Sequence, residues 1–260
     1  MSLLPLTGRR VLVTRAAHQA GKFSKGLRAL GAEPVEVPVL EIRPPESFEL
    51  LDAAIREMNS YNWLILTSAN AVQALAERAS FLGMSLRDLV PPPVAAIGKA
   101  TAEAAHKIGL NVSLIPESYV AESLVEDLLA NRVSGQRILL ARAAIARDVI
   151  PDALRAEGAI VDVVDAYRNV MPAAAPANLR AALEQGIDAA TFTSSSSVTH
   201  LAEAAKAAGI AFPFAGVAAI SIGPVTSQTL REYNWEPAAE ASPSDIPGLV
   251  EALARYFRTV

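Results

Sequence analysis

Two matched hydroxyl-rich stretches are the parts of this sequence best suited to chemistry. In each, a short apolar run stops at Thr-Ser and an alanine-rich helical pattern begins. The residues concerned are Thr67, Ser68 and Asn70 in the first copy, and Ser194, Ser195 and Ser196 in the second. These residue types cap helix N-termini, where free N–H groups and the helix dipole attract anions. The pattern predicts a carboxylate or phosphate site, and capping without any ligand is the alternative.

Other predicted strand ends carry similar chemistry. Arg15 and Arg142 follow two equivalent apolar runs, and Thr101 and Thr226 each follow a glycine at G-x-x-T spacing. Ligands of parallel sheets bind beyond the carboxyl ends of the strands, and guanidinium groups there can grip carboxylates. The alternatives are that each arginine pairs with a nearby acid and that each threonine only caps its helix.

The usual signatures of covalent and metal catalysis do not occur. The sequence has no cysteine, and its histidines (His18, His106 and His200) share no repeat position and show no metal-ligand spacing. It contains no phosphate-binding glycine loop, dinucleotide fingerprint or G-x-S-x-G elbow. We therefore expect no metal and no cofactor, and a site that binds and orients more than it attacks.

Repeated blocks indicate the elements that must position these residues. Val11–Arg15 aligns with Ile138–Arg142, and Gly98–Thr101 aligns with Gly223–Thr226, at nearly constant spacing. Short apolar runs alternate with helical patterns throughout, which is typical of parallel sheets covered on both faces. The sequence predicts an α/β protein with two similar, flavodoxin-like lobes produced by internal duplication.

Two long extended segments, residues 34–42 and 159–170, do not fit two independent tandem units. We expect them to form a two-stranded antiparallel connection between the lobes, with the first βα unit of each half exchanged. One lobe would then contain residues 1–38 and 172–260, and the other residues 39–171 with the connecting strands. A plain tandem arrangement, with a boundary near residues 131–136, is the alternative.

Composition limits the classes of partner. The 260 residues carry a net charge of −4, which argues against a general nucleic-acid binder. No apolar run reaches the roughly 18 residues that span a membrane, and the N-terminus lacks the pattern of a signal peptide. We expect a cytoplasmic protein with no membrane and no nucleic-acid partner.

The order of the motifs resembles the uroporphyrinogen-III synthase family. They run V-L-V-T-R, L-T-S-x-N-A-V, A-I-G-x-x-T, A-Y-R, F-T-S-S-S-S-V and I-G-x-x-T, and the likeness extends from Gly8 to about Tyr256. It implies a bilobal, monomeric lyase without a cofactor. Such an enzyme dehydrates and cyclises hydroxymethylbilane, inverting ring D through a spiro intermediate.

The resemblance also implies roles for individual residues. Tyr167, in A-Y-R, would assist departure of the substrate hydroxyl, directly or through water. Thr101 and Thr226 match threonines of the substrate cleft, while Ser68, Ser194 and Ser195 match positions that hold carboxylates through main-chain N–H groups. Pro224 stands where the other copy has Lys99 and removes one N–H donor, so the lobes are expected to bind carboxylates unequally.

Two other classes fit parts of the same pattern. A two-lobed binding protein for an anionic metabolite would share the anion-friendly strand ends without turnover. A nucleotide-dependent transferase would share the architecture, but it should carry phosphate-loop glycines and metal-binding carboxylates, which this sequence lacks. Forming isomer III from hydroxymethylbilane would separate an enzyme from both.

Overall fold

This computed structural model describes residues 4–259, apart from the side chains of residues 18 and 19. The chain divides into two compact units. Unit 1 contains Met1–Glu41 and Val170–Val260, and unit 2 contains Ile42–Asn169. No helix among the described residues is long and apolar enough to cross a membrane.

Strands and helices alternate along most of the chain. In chain order they are β1 (Arg10–Val13), α1 (Ala17–Ala29), β2 (Glu33–Glu36), β3 (Glu41–Arg43), α2 (Glu49–Arg56), a 3-10 turn (Met58–Ser60), β4 (Trp63–Leu66), α3 (Ala69–Phe81), β5 (Val94–Ala96), α4 (Lys99–Lys107), β6 (Val112–Leu114), α5 (Ala121–Leu129), β7 (Arg137–Ala143), α6 (Val149–Ala156), β8 (Ile160–Val170), α7 (Ala175–Glu184), β9 (Ala189–Phe192), α8 (Ser195–Ala207), β10 (Ala218–Ser221), α9 (Pro224–Glu232), β11 (Pro237–Glu240) and α10 (Ile246–Thr259).

Unit 1 contains a five-stranded parallel sheet in the order β11-β10-β9-β1-β2. Val11 of β1 pairs with Ala189 of β9, so the start of the chain is central to a sheet completed by its last third. The strand order reverses between β1 and β9, the position at which ligands of such sheets bind. The flavodoxin-like order expected from the sequence is present here.

Unit 2 contains a six-stranded sheet in the order β3-β8-β7-β4-β5-β6. Strands β4 to β8 pair in parallel, and the order reverses between β7 and β4. Apart from the edge strand β3, this spatial order repeats that of unit 1. In the unit 1 sheet, and in the unit 2 sheet without β3, two strands from one half of the sequence join three from the other half.

Each sheet is buried on both faces. In unit 1, one core cluster includes Phe192 and Trp235 with α7 and α8, and the other includes Phe23 and Leu253 from α1 and α10. In unit 2, the corresponding clusters lie against α2 and α3 on one face and α5 and α6 on the other. Continuous apolar strands are typical of sheets covered in this way, and the predicted parallel α/β class is confirmed.

The first connecting segment differs from the expected continuous strand over residues 34–42. It forms β2 and β3 in different sheets, separated by four residues outside any strand, Val37–Leu40. Pro38 has no N–H to donate to a ladder. The N–H groups of Val37 and Val39 instead donate to the carbonyls of Val13 and Thr14. The second segment is one 11-residue strand, β8, and β3 is its neighbour.

Candidate functional site

The carboxyl edge of the unit 2 sheet brings Ser68 and Tyr167 together. Ser68 follows β4 and caps α3, its Oγ accepting the Ala71 N–H at 3.1 Å. The same Oγ lies 3.1 Å from the Tyr167 hydroxyl, and either oxygen can donate. These residues are 99 positions apart in sequence, so the contact depends on the pairing of β4, β7 and β8.

Tyr167 is fixed by its strand as well as by Ser68. It pairs with Ala143 just after a register shift in the β7–β8 ladder, and its carbonyl accepts the Ala144 N–H at 2.9 Å. The side chain is 7% exposed and packs with the core of α2 and α3. The core and the helix cap together therefore fix the position of the Tyr167 hydroxyl oxygen.

Thr101 and Thr226 occupy the same place in their two units, the third residue of α4 and of α9, and both are 4% exposed. The glycines before these helices have different reasons to be glycine. Gly98 has a φ of 85°, which side chains disfavour. Gly223 has extended backbone, but a Cβ there would lie 2.8 Å from the Ser244 Oγ. In both units the residue before the first turn of the helix therefore has no side chain.

Ser194 caps α8 in unit 1 as Ser68 caps α3 in unit 2. Its Oγ accepts the Ser197 N–H at 3.2 Å, and the Ser197 Oγ accepts the Ser194 N–H at 3.3 Å, completing a capping box. The Ser195 hydroxyl is already engaged, accepting from the Thr229 hydroxyl at 2.9 Å. The side chain of Ser195 therefore joins α8 to α9, which leaves its main chain as the part suited to an anion.

Arg15 follows β1 at the point where the order of the unit 1 sheet reverses. Just before Arg15 in the chain, the Thr14 hydroxyl donates to the Thr191 carbonyl at 2.8 Å, and the Thr191 hydroxyl donates to the Leu12 carbonyl at 2.9 Å. These reciprocal bonds fix the ends of β1 and β9. Arg15 itself is half-buried, and desolvation lowers the pKa of its guanidinium below the usual value.

Arg142 occupies the corresponding place in unit 2 and makes an internal ion pair. Its Nη2 lies 2.5 Å from the Asp148 carboxylate, and its Nη1 donates to the Arg147 carbonyl at 2.9 Å. The alternative considered for this arginine, pairing with a nearby acid, is the arrangement observed. Asp148 was missed from the sequence, although an acid six residues after Arg142 at the start of a helix was an available signal.

The other predicted residues lie at the same two edges. Thr67 follows β4, Asn70 is in the first turn of α3 and Ser196 is in the first turn of α8, all half-buried. The side chain of His18 lies outside the described residues. Within the described part of the chain, no three His, Asp or Glu side chains are grouped so that they could hold a metal ion.

Fold and site together define a class of protein: a two-unit parallel α/β protein whose strand ends present helix N-termini, hydroxyls and two arginines. Such edges suit a ligand with several carboxylates. The family model for uroporphyrinogen-III synthase HemD matches residues 21–251. The chain belongs to the uroporphyrinogen-III synthase family.

Individual relatives agree with this assignment. A uroporphyrinogen-III synthase of Synechococcus elongatus is 39% identical over 263 residues, covering 99% of each chain. Crystal structures of uroporphyrinogen III synthases from Thermus thermophilus (a mutant, 21% identical) and Helicobacter pylori (18% identical) cover 97% and 95% of this chain. The matches include 100% and 99% of those two chains, with TM-scores of 0.69 and 0.66, which shows a shared fold.

Proposed function

We propose that this protein is a uroporphyrinogen-III synthase that converts hydroxymethylbilane to uroporphyrinogen III. Membership of the family and 39% identity to a synthase over the whole chain support this activity. The reaction removes water, closes the macrocycle and inverts ring D. The observation that carries the proposal within this chain is the contact of 3.1 Å between Ser68 Oγ and the Tyr167 hydroxyl.

Loss of the substrate hydroxyl requires a proton, and we assign its delivery to Tyr167. The Ser68 Oγ already accepts the Ala71 N–H and still has its own proton to donate. When Ser68 donates to the phenol oxygen, the Tyr167 O–H is directed away from Ser68 and can protonate the leaving hydroxyl, itself or through one water. General acids that are positioned in this way contribute about 10²- to 10⁴-fold.

The remaining steps conserve protons and need no further reagent. The carbon–oxygen bond breaks as water leaves, and the pyrrole nitrogens supply electrons to the resulting cation. Ring D attacks through its substituted carbon, and the spiro intermediate fragments and closes again. The proton released when the last pyrrole regains its aromaticity returns to the phenolate. The reaction as proposed is therefore cofactor-independent and requires no metal.

The helix N-termini at the strand ends are proposed to hold the carboxylates of hydroxymethylbilane. Peptide N–H donors and an arginine bind carboxylates through charge-assisted bonds, which fix orientation. Thr101 and Thr226 would donate from the first turns of α4 and α9. Pro224 leaves α9 with one N–H fewer than α4, so α9 is proposed to bind a carboxylate less tightly than α4 does. The predicted monomeric state, cytoplasmic location and lack of membrane or nucleic-acid partners accompany this proposal.

The test is an isomer assay with a matched tyrosine control. Freshly made hydroxymethylbilane is incubated with the protein, and uroporphyrinogen isomers I and III are resolved after oxidation. We expect isomer III, and Tyr167→Phe should lower kcat by about 100-fold or more, with KM little changed. Only isomer I would refute the function, while unchanged kcat in Tyr167→Phe would refute the role of this residue alone.

Tyr61→Phe provides the control. Tyr61 is the other well-buried tyrosine of unit 2, and its hydroxyl donates to Asp162 at 2.9 Å before the start of β4. This position is at the amino end of the strands, away from Ser68. Removing the Tyr61 hydroxyl should therefore leave kcat unchanged and affect stability only.

A further inference from the structure

The ion pair of Arg142 joins a buried cation to an exposed anion. The Arg142 side chain is 11% exposed, whereas that of Asp148 is 61% exposed. Arg142 is part of β7 and is therefore held by the sheet, while Asp148 lies between β7 and α6. Of the two partners, the Asp148 carboxylate is the one that water and other anions can replace.

Hydrogen bonding at both ends of the pair is incomplete. The Arg142 Nε is buried and has no hydrogen-bond partner among the described residues. Asp148 precedes the first residue of α6, where an acid commonly caps a helix, but its side chain makes no capping bond. The guanidinium can thus donate to a better-placed bidentate carboxylate, and among the described residues the Asp148 side chain has no second hydrogen bond that would fix it against Arg142.

The segment that carries Asp148 has exposed side chains over residues 145–148, while its main chain is hydrogen-bonded at both ends. Ile145 is 87% exposed, and the neighbouring Arg147 pairs with Glu122 of α5 at 2.7 Å through side chains that are each about half exposed. At its start the Ala144 N–H donates to the carbonyl of Tyr167, and at its end the Arg147 and Asp148 carbonyls accept from Arg142 and from the Asp152 N–H. The exposed Asp148 side chain can therefore turn away from Arg142 while the main chain, and the ladder that positions Tyr167, stay in place.

We infer that Asp148 occupies Arg142 in the free protein as an internal substitute for a substrate carboxylate, and that the substrate displaces it. This inference rests on the proposed function, because it takes hydroxymethylbilane as the competing polycarboxylate. Asp148 thereby weakens the binding of substrate and product alike. It is a residue that sets affinity, and it has no part in the chemical step.

Breaking an ion pair in a binding site usually weakens binding, whereas breaking this one should strengthen it. Asp148→Asn removes the competing charge in a side chain of nearly the same size. It should lower KM for hydroxymethylbilane, and the Kd of uroporphyrinogen III measured anaerobically, by about two- to fivefold, the range given by an exposed ion pair. The value of kcat should stay within about twofold, since uniform binding leaves it unchanged.

Glu122→Gln is the matched control. It removes one negative charge from α5 and the ion pair that this charge makes with Arg147, without touching Arg142, so it should change KM by less than the Asp148 variant does. Equal effects of the two variants, or weaker product binding by Asp148→Asn, would overturn the inference. If the wild-type protein forms only isomer I, the proposed function fails first. Isomer III from wild type with no tightening in Asp148→Asn removes this inference alone.

Discussion

Substituting Ser68 by alanine should cost more stability than the same change at the equivalent Ser194. Ser68→Ala removes the cap of α3 and also the only hydrogen-bond partner recorded among the described residues for the Tyr167 hydroxyl. A lost cap costs about 1 kcal/mol, and loss of one hydrogen bond to a Tyr167 hydroxyl that can still reach water costs about 0.5–1.5 kcal/mol more. Ser194→Ala removes the cap of α8 alone, so the expected losses are about 1.5–2.5 and about 1 kcal/mol.

The chain offers a separate fluorescent reporter for each unit. Its two tryptophans are Trp63, at the start of β4 in unit 2, and Trp235, in the core of unit 1. Guanidinium chloride unfolding of each serine variant, in backgrounds that retain one tryptophan, would follow the unit that carries the substitution. This design matters because a chain of two units need not unfold in one transition.

Three outcomes decide the comparison. A larger loss for Ser68→Ala, with recovery in Ser68→Thr, is the expected result, because threonine keeps the hydroxyl that serves both the cap and the phenol. Equal losses at Ser68 and Ser194 would show that the Tyr167 hydroxyl does not depend on Ser68. A Ser68→Thr variant as unstable as Ser68→Ala would show that side-chain shape, and not the hydroxyl, is what matters there.

Two further predictions concern other positions. The Arg78 side chain, hydrogen-bonded in bidentate fashion, holds the pKa of Asp52 below its usual value; the pair therefore stabilises the fold above about pH 4 and loses this effect as pH falls. The difference in unfolding midpoint between wild type and Asp52→Asn should accordingly be largest near neutral pH and shrink in acid, and a constant difference would contradict it. Gly98→Ala should destabilise unit 2 by about 1–2 kcal/mol, because its φ of 85° disfavours a side chain. Gly21→Ala is the control, because Gly21 has open space around it and no positive φ. Equal changes in melting temperature for Gly98→Ala and Gly21→Ala would contradict this prediction.

Sequence patterns predicted the elements that hold the site better than the contacts within it. The apolar runs before Ser68 and Ser194 are strands, and both serines cap the helices that follow. These features are local, because an N-cap depends on residues within one turn. The contact of Ser68 with Tyr167 depends on which strands are neighbours, and no local pattern contains that information.

Other features follow from competition between partners that are remote in sequence. The predicted strand over residues 34–42 is divided between two sheets, because Val37 and Val39 still hydrogen-bond to the end of β1 whereas β3 lies beside β8. The sequence alone does not identify the partner of Arg142, because an arginine side chain can reach several nearby acids and the energies of those ion pairs are similar. The side-chain roles that the family resemblance implies stay predictions, which assays of the variants above would test.

The pairing of Val11 with Ala189 has a consequence for synthesis on the ribosome. The emerging chain can join β1 to β2, but both must wait for β9 while the whole of unit 2 is translated. Unit 2 has all its strands by Asn169 and can fold as it leaves the exit tunnel. During that interval one edge of β1 has unpaired peptide N–H and C=O groups, to which a chaperone or a second nascent chain could bind.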